Sequence, residues 1–273
     1  MDRPHTNRPR TDRSPADGAL AQRRILVTRP RAQAAEWCRL LQEAGAIADC
    51  IPMLAIEPVT DESGCQAIKQ RILDFDQVDH AIFVSGNAVR FGLEWLDSYW
   101  PQLPIGPRFY AIGSATARAL ITAGIPCHSG GDTMDSEALL ALPALQRPGN
   151  DKVLIFRGRG GRPLIGETLR QRGADVRYCE LYHRALPENA AAQLGAYLHK
   201  PDAITVHSGE TLHNLARCVD AAEKHSLRET PLICPSARVA ALAGDLGFTR
   251  PAAATNAGDQ AMLKALEDTL SGP

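Results

Sequence analysis

The chain carries the same pattern twice, and this constrains its fold more than any other feature. Arg24-Ile-Leu-Val-Thr-Arg-Pro-Arg31 and Lys152-Val-Leu-Ile-Phe-Arg-Gly-Arg159 are both short apolar runs ending in Arg-x-Arg, at an offset of 128 residues (25 to 153). At that offset Gly45-Ala46 falls on Gly173-Ala174. Asp79–Gly86 then matches Asp202–Gly209, with Ser85 on Ser208 at an offset of 123. Ser114-Ala115 matches Ser236-Ala237 at 122, and Asp135–Leu142 matches Asp259–Leu266 at 124. Ordered matches at a nearly constant offset mean two copies of one unit. Within each copy, short apolar runs alternate with helical stretches, which predicts βαβ units and parallel sheets covered on both faces. The expected fold class is α/β, with two flavodoxin-like lobes. Gly45, Gly124, Gly173 and Gly247 follow predicted helices, where a positive φ closes the last turn. Predicted strands include 125–128 and 175–179.

Two extended segments, 52–58 and 180–186, correspond in the repeat and fit no lobe. They read as a two-stranded β-ribbon joining the lobes. Residues 1–22 are rich in Arg, Pro and polar side chains, lack an apolar stretch of the kind found in export signals, and are expected to form a disordered tail. No run of about 18 apolar residues exists to span a membrane. The net charge of -1 leaves no global basic footprint for nucleic acid. Anions must be met by local arginines. Seven cysteines in no CxxC arrangement suit a reduced, cytoplasmic protein and give no metal-ligand spacing.

In an open parallel sheet, ligands sit beyond the carboxyl ends of the strands. The loops there are Arg29-Pro-Arg31, Ser85-Gly-Asn87, Ser114-Ala-Thr116, Arg157-Gly-Arg-Gly-Gly-Arg162, His207-Ser-Gly209 and Pro235-Ser236. Each precedes a predicted helix, where free N–H groups and hydroxyls bind carboxylate or phosphate. Arginine adds bidentate geometry for the same anions. The candidates for anion binding are Arg29, Arg31, Ser85, Asn87, Thr116, Arg157, Arg159, Ser208 and Ser236. For the serines, simple N-capping is the competing reading; for the arginines, a solvated loop. His207 reads as a loop or packing residue. Tyr182, on the second joining segment, is either a proton donor or a β-forming packing residue. Gly158-x-Gly160 with Glu180 downstream suggests a dinucleotide loop, but Pro163 stands where a third glycine is wanted.

Thr28-Arg29-Pro30, Phe83–Val89, Ala111–Ala117, Leu154–Arg162 and Glu180–Arg184, in this order, resemble the uroporphyrinogen-III synthase family, and Ser236–Leu266 resembles its proteobacterial form. The likeness spans about residues 24–270. It implies lobe one as 23–54 plus 186–270, lobe two as 59–180, and the ribbon 52–58 with 180–186 between them. It implies a cyclising lyase of haem biosynthesis that closes hydroxymethylbilane, a linear tetrapyrrole with eight carboxylates, and inverts ring D. It further implies no cofactor, no metal, no nucleic-acid or membrane partner, a monomer, and a transient hand-over from hydroxymethylbilane synthase. Tyr182 matches the position proposed as the acid assisting water loss, and Thr116, Ser85 and Ser208 match cleft hydroxyls. Two rivals are a bilobed anion-binding protein without catalysis and a dinucleotide-dependent α/β enzyme.

Overall fold

The computed structural model describes residues 18–128 and 135–271. The chain divides into two compact units, cut between Ala55 and Ile56 and between Arg184 and Ala185. The strands are β1 (Arg24–Val27), β2 (Ile47–Cys50), β3 (Ala55–Pro58), β4 (His80–Phe83), β5 (Arg108–Ala111), β6 (Lys152–Gly158), β7 (Asp175–Ala185), β8 (Ala203–Thr205), β9 (Leu232–Cys234) and β10 (Pro251–Ala253). The helices are α1 (Arg31–Glu43), α2 (Glu62–Leu73), α3 (Gly86–Tyr99), α4 (Ser114–Thr122), α5 (Ser136–Leu140), α6 (Pro143–Gln146), α7 (Leu164–Gln171), α8 (Ala190–Ala196), α9 (Gly209–Ala221), α10 (Ala237–Asp245) and α11 (Asp259–Leu270).

The first unit holds a sheet ordered β10-β9-β8-β1-β2, and the second a sheet ordered β3-β7-β6-β4-β5. Every strand pair with a recorded register is parallel, including β1 with β8 (Ile25 opposite Ala203) and β4 with β6 (His80 opposite Val153). Those two pairs join different sequence copies. The first unit takes β1 and β2 from copy one and β8, β9 and β10 from copy two. The second takes β6 and β7 from copy two and β3, β4 and β5 from copy one. The first unit therefore has the flavodoxin-like order 2-1-3-4-5, and the second repeats its 2-1-3-4 part as β7-β6-β4-β5, with β3 at the edge beside β7. The predicted strand 125–128 is reduced to a single bridge between Tyr110 and His128. The sequence around it, Gly124-Ile-Pro-Cys, places a proline where a ladder donor is needed. The predicted strand 175–179 instead runs on unbroken to Ala185 and borders β3.

Burial on both faces explains the apolar runs. In β1, Ile25 and Val27 face a cluster with Trp37, Ala203, Ile233 and Met262, while Leu26 faces Ile204, Leu212, Leu232 and Val239. In the second unit, Phe83 and Phe156 stack at 4.3 Å within a cluster containing Phe75 and Phe91. Ile82 and Ile155 pack the other way, with Tyr110, Leu139 and Leu169. The period of two along each strand thus feeds two helix layers. The post-helix glycines have the expected positive φ: 88° at Gly45, 78° at Gly124, 96° at Gly173 and 85° at Gly247.

One boundary is corrected. Residues 1–17 of the expected tail lie outside the described residues, but Leu20 is buried, packed with Ile25, Val27, Trp37 and Leu41. A leucine can contribute there because its burial adds to the same helix-covered face as α1. Leu20→Ala is expected to cost about 2–5 kcal/mol, the range for truncating a buried leucine, measured as a change in urea midpoint at constant slope.

Candidate active site

In the second unit, the site is built around a disruption of the ladder. Arg157 pairs with Glu180, but Gly158 pairs with Tyr182, a one-residue register shift. Such a bulge re-aims the next side chain. Tyr178 packs with Ile155 and Ile165, whereas Tyr182 turns to the opposite face, among Phe83, Phe91 and Phe156. Its ring stacks on Phe91 at 5.6 Å and lies over Gly158, where a Cβ would fall 2.5 Å from Tyr182 Cε2. Gly158 is required by this close approach. Arg159 N–H donates to the Tyr182 carbonyl at 2.7 Å, pinning the backbone of both.

The Tyr182 hydroxyl meets Ser85 Oγ at 2.8 Å. Ser85 is the N-cap of α3, and its Oγ accepts from Ala88 N–H at 3.1 Å. Capping uses a lone pair of Ser85 and leaves its proton available to Tyr182. With Ser85 as donor, the phenol proton is free for a bound group. Asn87, in the first turn of the same helix, is half-buried. Thr116, in the first turn of α4, is 3% exposed, its side chain packed within the unit.

Arg157 is buried on the face opposite Tyr182, so the sheet separates these two candidates. Its guanidinium stacks over the Tyr178 ring at 4.5 Å and donates to the Gly158 and Arg162 carbonyls at 3.2 and 3.4 Å. It also fills the glycine loop: a Cβ on Gly161 would fall 2.6 Å from Arg157 Nη2. The space a pyrophosphate would need is taken by the chain's own side chain, which removes the dinucleotide reading. Arg159 pairs with Asp61, the N-cap of α2, at 2.6 Å.

In the first unit, Arg29 pairs with Asp259 at the start of α11 at 2.7 Å. Arg31 opens α1 and is exposed. Ser208 and Ser236 are N-caps of α9 and α10, accepting from Thr211 and Val239 N–H at 3.1 and 3.4 Å. The capping reading of the serines therefore holds at Ser85, Ser208 and Ser236, while at α4 the cap is Gly113 and Ser114 is already helical.

A family model for "Uroporphyrinogen-III synthase HemD" matches residues 35–264. The chain belongs to the uroporphyrinogen-III synthase family. The uroporphyrinogen-III synthase of Salmonella typhimurium is 35% identical over 247 residues, covering 89% of this chain and 99% of that one. That of Escherichia coli is 34% identical over 250 residues, with the same coverage. Among solved structures, a mutant synthase from Thermus thermophilus matches with a TM-score of 0.58 at 20% identity, over 91% of this chain and 98% of that one. The Helicobacter pylori enzyme matches with a TM-score of 0.57 at 16% identity, over 90% and 99%. These two share the bilobed α/β fold.

Uroporphyrinogen-III synthase membership makes the chain a cyclising lyase of porphyrin biosynthesis. Among the described residues no three His, Cys, Asp or Glu side chains converge as a metal site, and no helix is long and apolar enough to cross a membrane. His207 is a packing residue, as expected, and its burial is what the sequence does not show. It follows β8 at the point where the strand order of the first unit reverses, and it packs edge-on to Trp37 at 5.6 Å. Neither ring nitrogen has a hydrogen-bond partner. Burial, reinforced by the Arg29 charge, pushes its pKa down to about 4. The signal was its place beside Ser208, but a lone histidine in a loop says nothing of burial.

The folded imidazole thus stays neutral to about pH 4, whereas in the unfolded chain it takes a proton near pH 6.5. Acidification through that window favours unfolding, by about 2 kcal/mol at pH 5. Urea titrations at pH 7 and pH 5 should show the wild type losing that much more stability than His207→Phe. Equal losses would show that the histidine is solvated.

Proposed function

We propose that this chain closes hydroxymethylbilane to uroporphyrinogen III with inversion of ring D and release of water, and that Tyr182 is the proton donor. The Ser85–Tyr182 hydrogen bond at 2.8 Å carries the second part. The substrate's terminal C–O bond breaks, and the departing hydroxide takes the phenol proton and leaves as water. The bonding pair leaves with the oxygen, and the ring A nitrogen lone pair moves in to leave an azafulvenium cation. Ring D attacks it through its substituted carbon and gives a spiro intermediate. Fragmentation and reclosure then join the inverted ring, and the proton lost on rearomatisation returns to the phenolate. Ser85, fixed by its cap to α3, presents its hydroxyl to the phenol oxygen throughout. The pyrroles supply their own nucleophile, so the protein's main task is orientation of a polyanion.

In this reading Arg29, Arg31, Ser208 and Ser236 of the first unit, and Ser85, Asn87, Arg157 and Arg159 of the second, meet substrate carboxylates. Thr116 is left out because its side chain is buried. Arg29 and Arg159 would exchange Asp259 and Asp61 for substrate, a modest loss for pairs that are partly exposed. The seven free thiols suit a reducing cytoplasm. A monomer that takes substrate directly from hydroxymethylbilane synthase completes the proposal.

Hydroxymethylbilane also closes unaided, to the symmetric isomer I. About 3 kcal/mol of differential transition-state stabilisation gives more than 100-fold selectivity against that path. Purified protein and freshly generated hydroxymethylbilane, without metal or nucleotide, should give mainly isomer III after oxidation and chromatographic separation. Isomer I alone, at catalytic and at stoichiometric protein, would overturn the assignment. Tyr182→Phe should lower kcat about 10–100-fold, at or below the low end of the roughly 10²–10⁴-fold typical of a general acid, because the pyrrole already activates the leaving group. Full activity would make Tyr182 a packing residue.

A further inference from the structure

On the face of the second sheet opposite Tyr182 lies a pocket of about 200 Å³. Its walls are largely apolar, with Val84 and Ile112 just beyond β4 and β5 and Ile165 in α7, and its polar side chains are Ser136, Arg157, Arg162 and Tyr178. Two features there are unresolved by the protein itself. Arg157 is only 6% exposed, yet its hydrogen bonds run to neutral carbonyls. The nearest carboxylate, Glu180, stands 3.7 Å from Nε and is itself 41% exposed. A buried cation so weakly countered is costly unless an anion joins it. The Tyr178 hydroxyl is buried without a hydrogen-bond partner, and it lies where a Cβ on Gly166 would come within 2.0 Å. A larger residue at Gly166 would displace it.

We infer that this pocket is a subsite for one carboxylate-bearing pyrrole arm, with Arg157 as counter-ion and the Tyr178 hydroxyl as second donor. The inference rests on the proposed function for the identity of the ligand and adds to it a defined place for one arm. The volume is below the roughly 300–1,000 Å³ of pockets for drug-sized ligands, so an arm fits where the tetrapyrrole does not. The N-terminus of α7 at the pocket mouth favours the same charge.

The test uses porphobilinogen, a single pyrrole with one acetate and one propionate, titrated into full-length protein and followed by amide NMR. It should shift Gly161, Arg162, Ile165 and Gly166, and 2,5-dimethylpyrrole, without carboxylates, should not. Arg157→Met should weaken the porphobilinogen response at least tenfold, and Tyr178→Phe, which preserves the ring, should weaken it severalfold. In turnover, both variants should raise KM for hydroxymethylbilane more than they lower kcat. An absence of shifts at 10 mM porphobilinogen, or equal shifts in Arg157→Met, overturns the subsite. Wild-type formation of isomer III alongside that result would leave the function standing. Binding in the pocket with isomer I alone would keep a carboxylate site and remove the synthase reading.

Discussion

Both units depend on one constraint, that a parallel sheet must be covered by helices on its two faces. The strands here are three or four residues long over most of the sheets, too short to stand without those layers. A single sequence copy cannot supply them within one unit, because the chain leaves the first unit after β2 and returns only after β7. The pairings of β1 with β8 and of β4 with β6 close that gap. Each joins the first strand of one copy to a later strand of the other, and each is the point where strand order reverses.

The candidate site residues gather at those reversals because adjacent loops there lead to opposite faces and leave a crevice. In the first unit the crevice is flanked by Arg29 after β1 and His207-Ser208 after β8. In the second it is flanked by Arg157-Gly158 at the end of β6 and Ser85 after β4. Helix starts provide most of the polarity, and the protein already uses much of it. Ser85, Ser208 and Ser236 each spend a lone pair on their own helix, and Asp61 and Asp259 neutralise two arginines. Among the groups left are one proton of the hydrogen-bonded Ser85–Tyr182 hydroxyl pair, the buried Tyr178 hydroxyl and the weakly countered guanidinium of Arg157.

The bulge opposite Gly158 shapes the second unit's candidate site. Without it, Tyr178, Glu180 and Tyr182 would point to one side, since side chains alternate along a strand. With it, Tyr178 stays beside Arg157 and Tyr182 crosses to Ser85. The glycine serves the tyrosine ring, not a phosphate, and the arginine fills the loop that would otherwise resemble a nucleotide site. The same short run, Phe156-Arg-Gly158, therefore sends one side chain into each of two separate environments.

The repeat, the α/β alternation, the positive-φ glycines and the loops at the strand ends were legible in the residues, because periodicity and turn chemistry are local. Capping at Ser85, Ser208 and Ser236 was legible as one of two readings for the same reason. Other facts needed the folded chain. That Leu20 is core, that residues 125–128 fail to extend the sheet beyond one bridge, and that Arg29 and Arg159 have acidic partners depend on residues distant in sequence. So does the separation of Arg157 from Tyr182, which follows from a one-residue slip between strands that no single strand encodes. Sequence alone determined which groups reach the ends of the strands; tertiary structure decided which face each one takes, because facing is a property of the pairing.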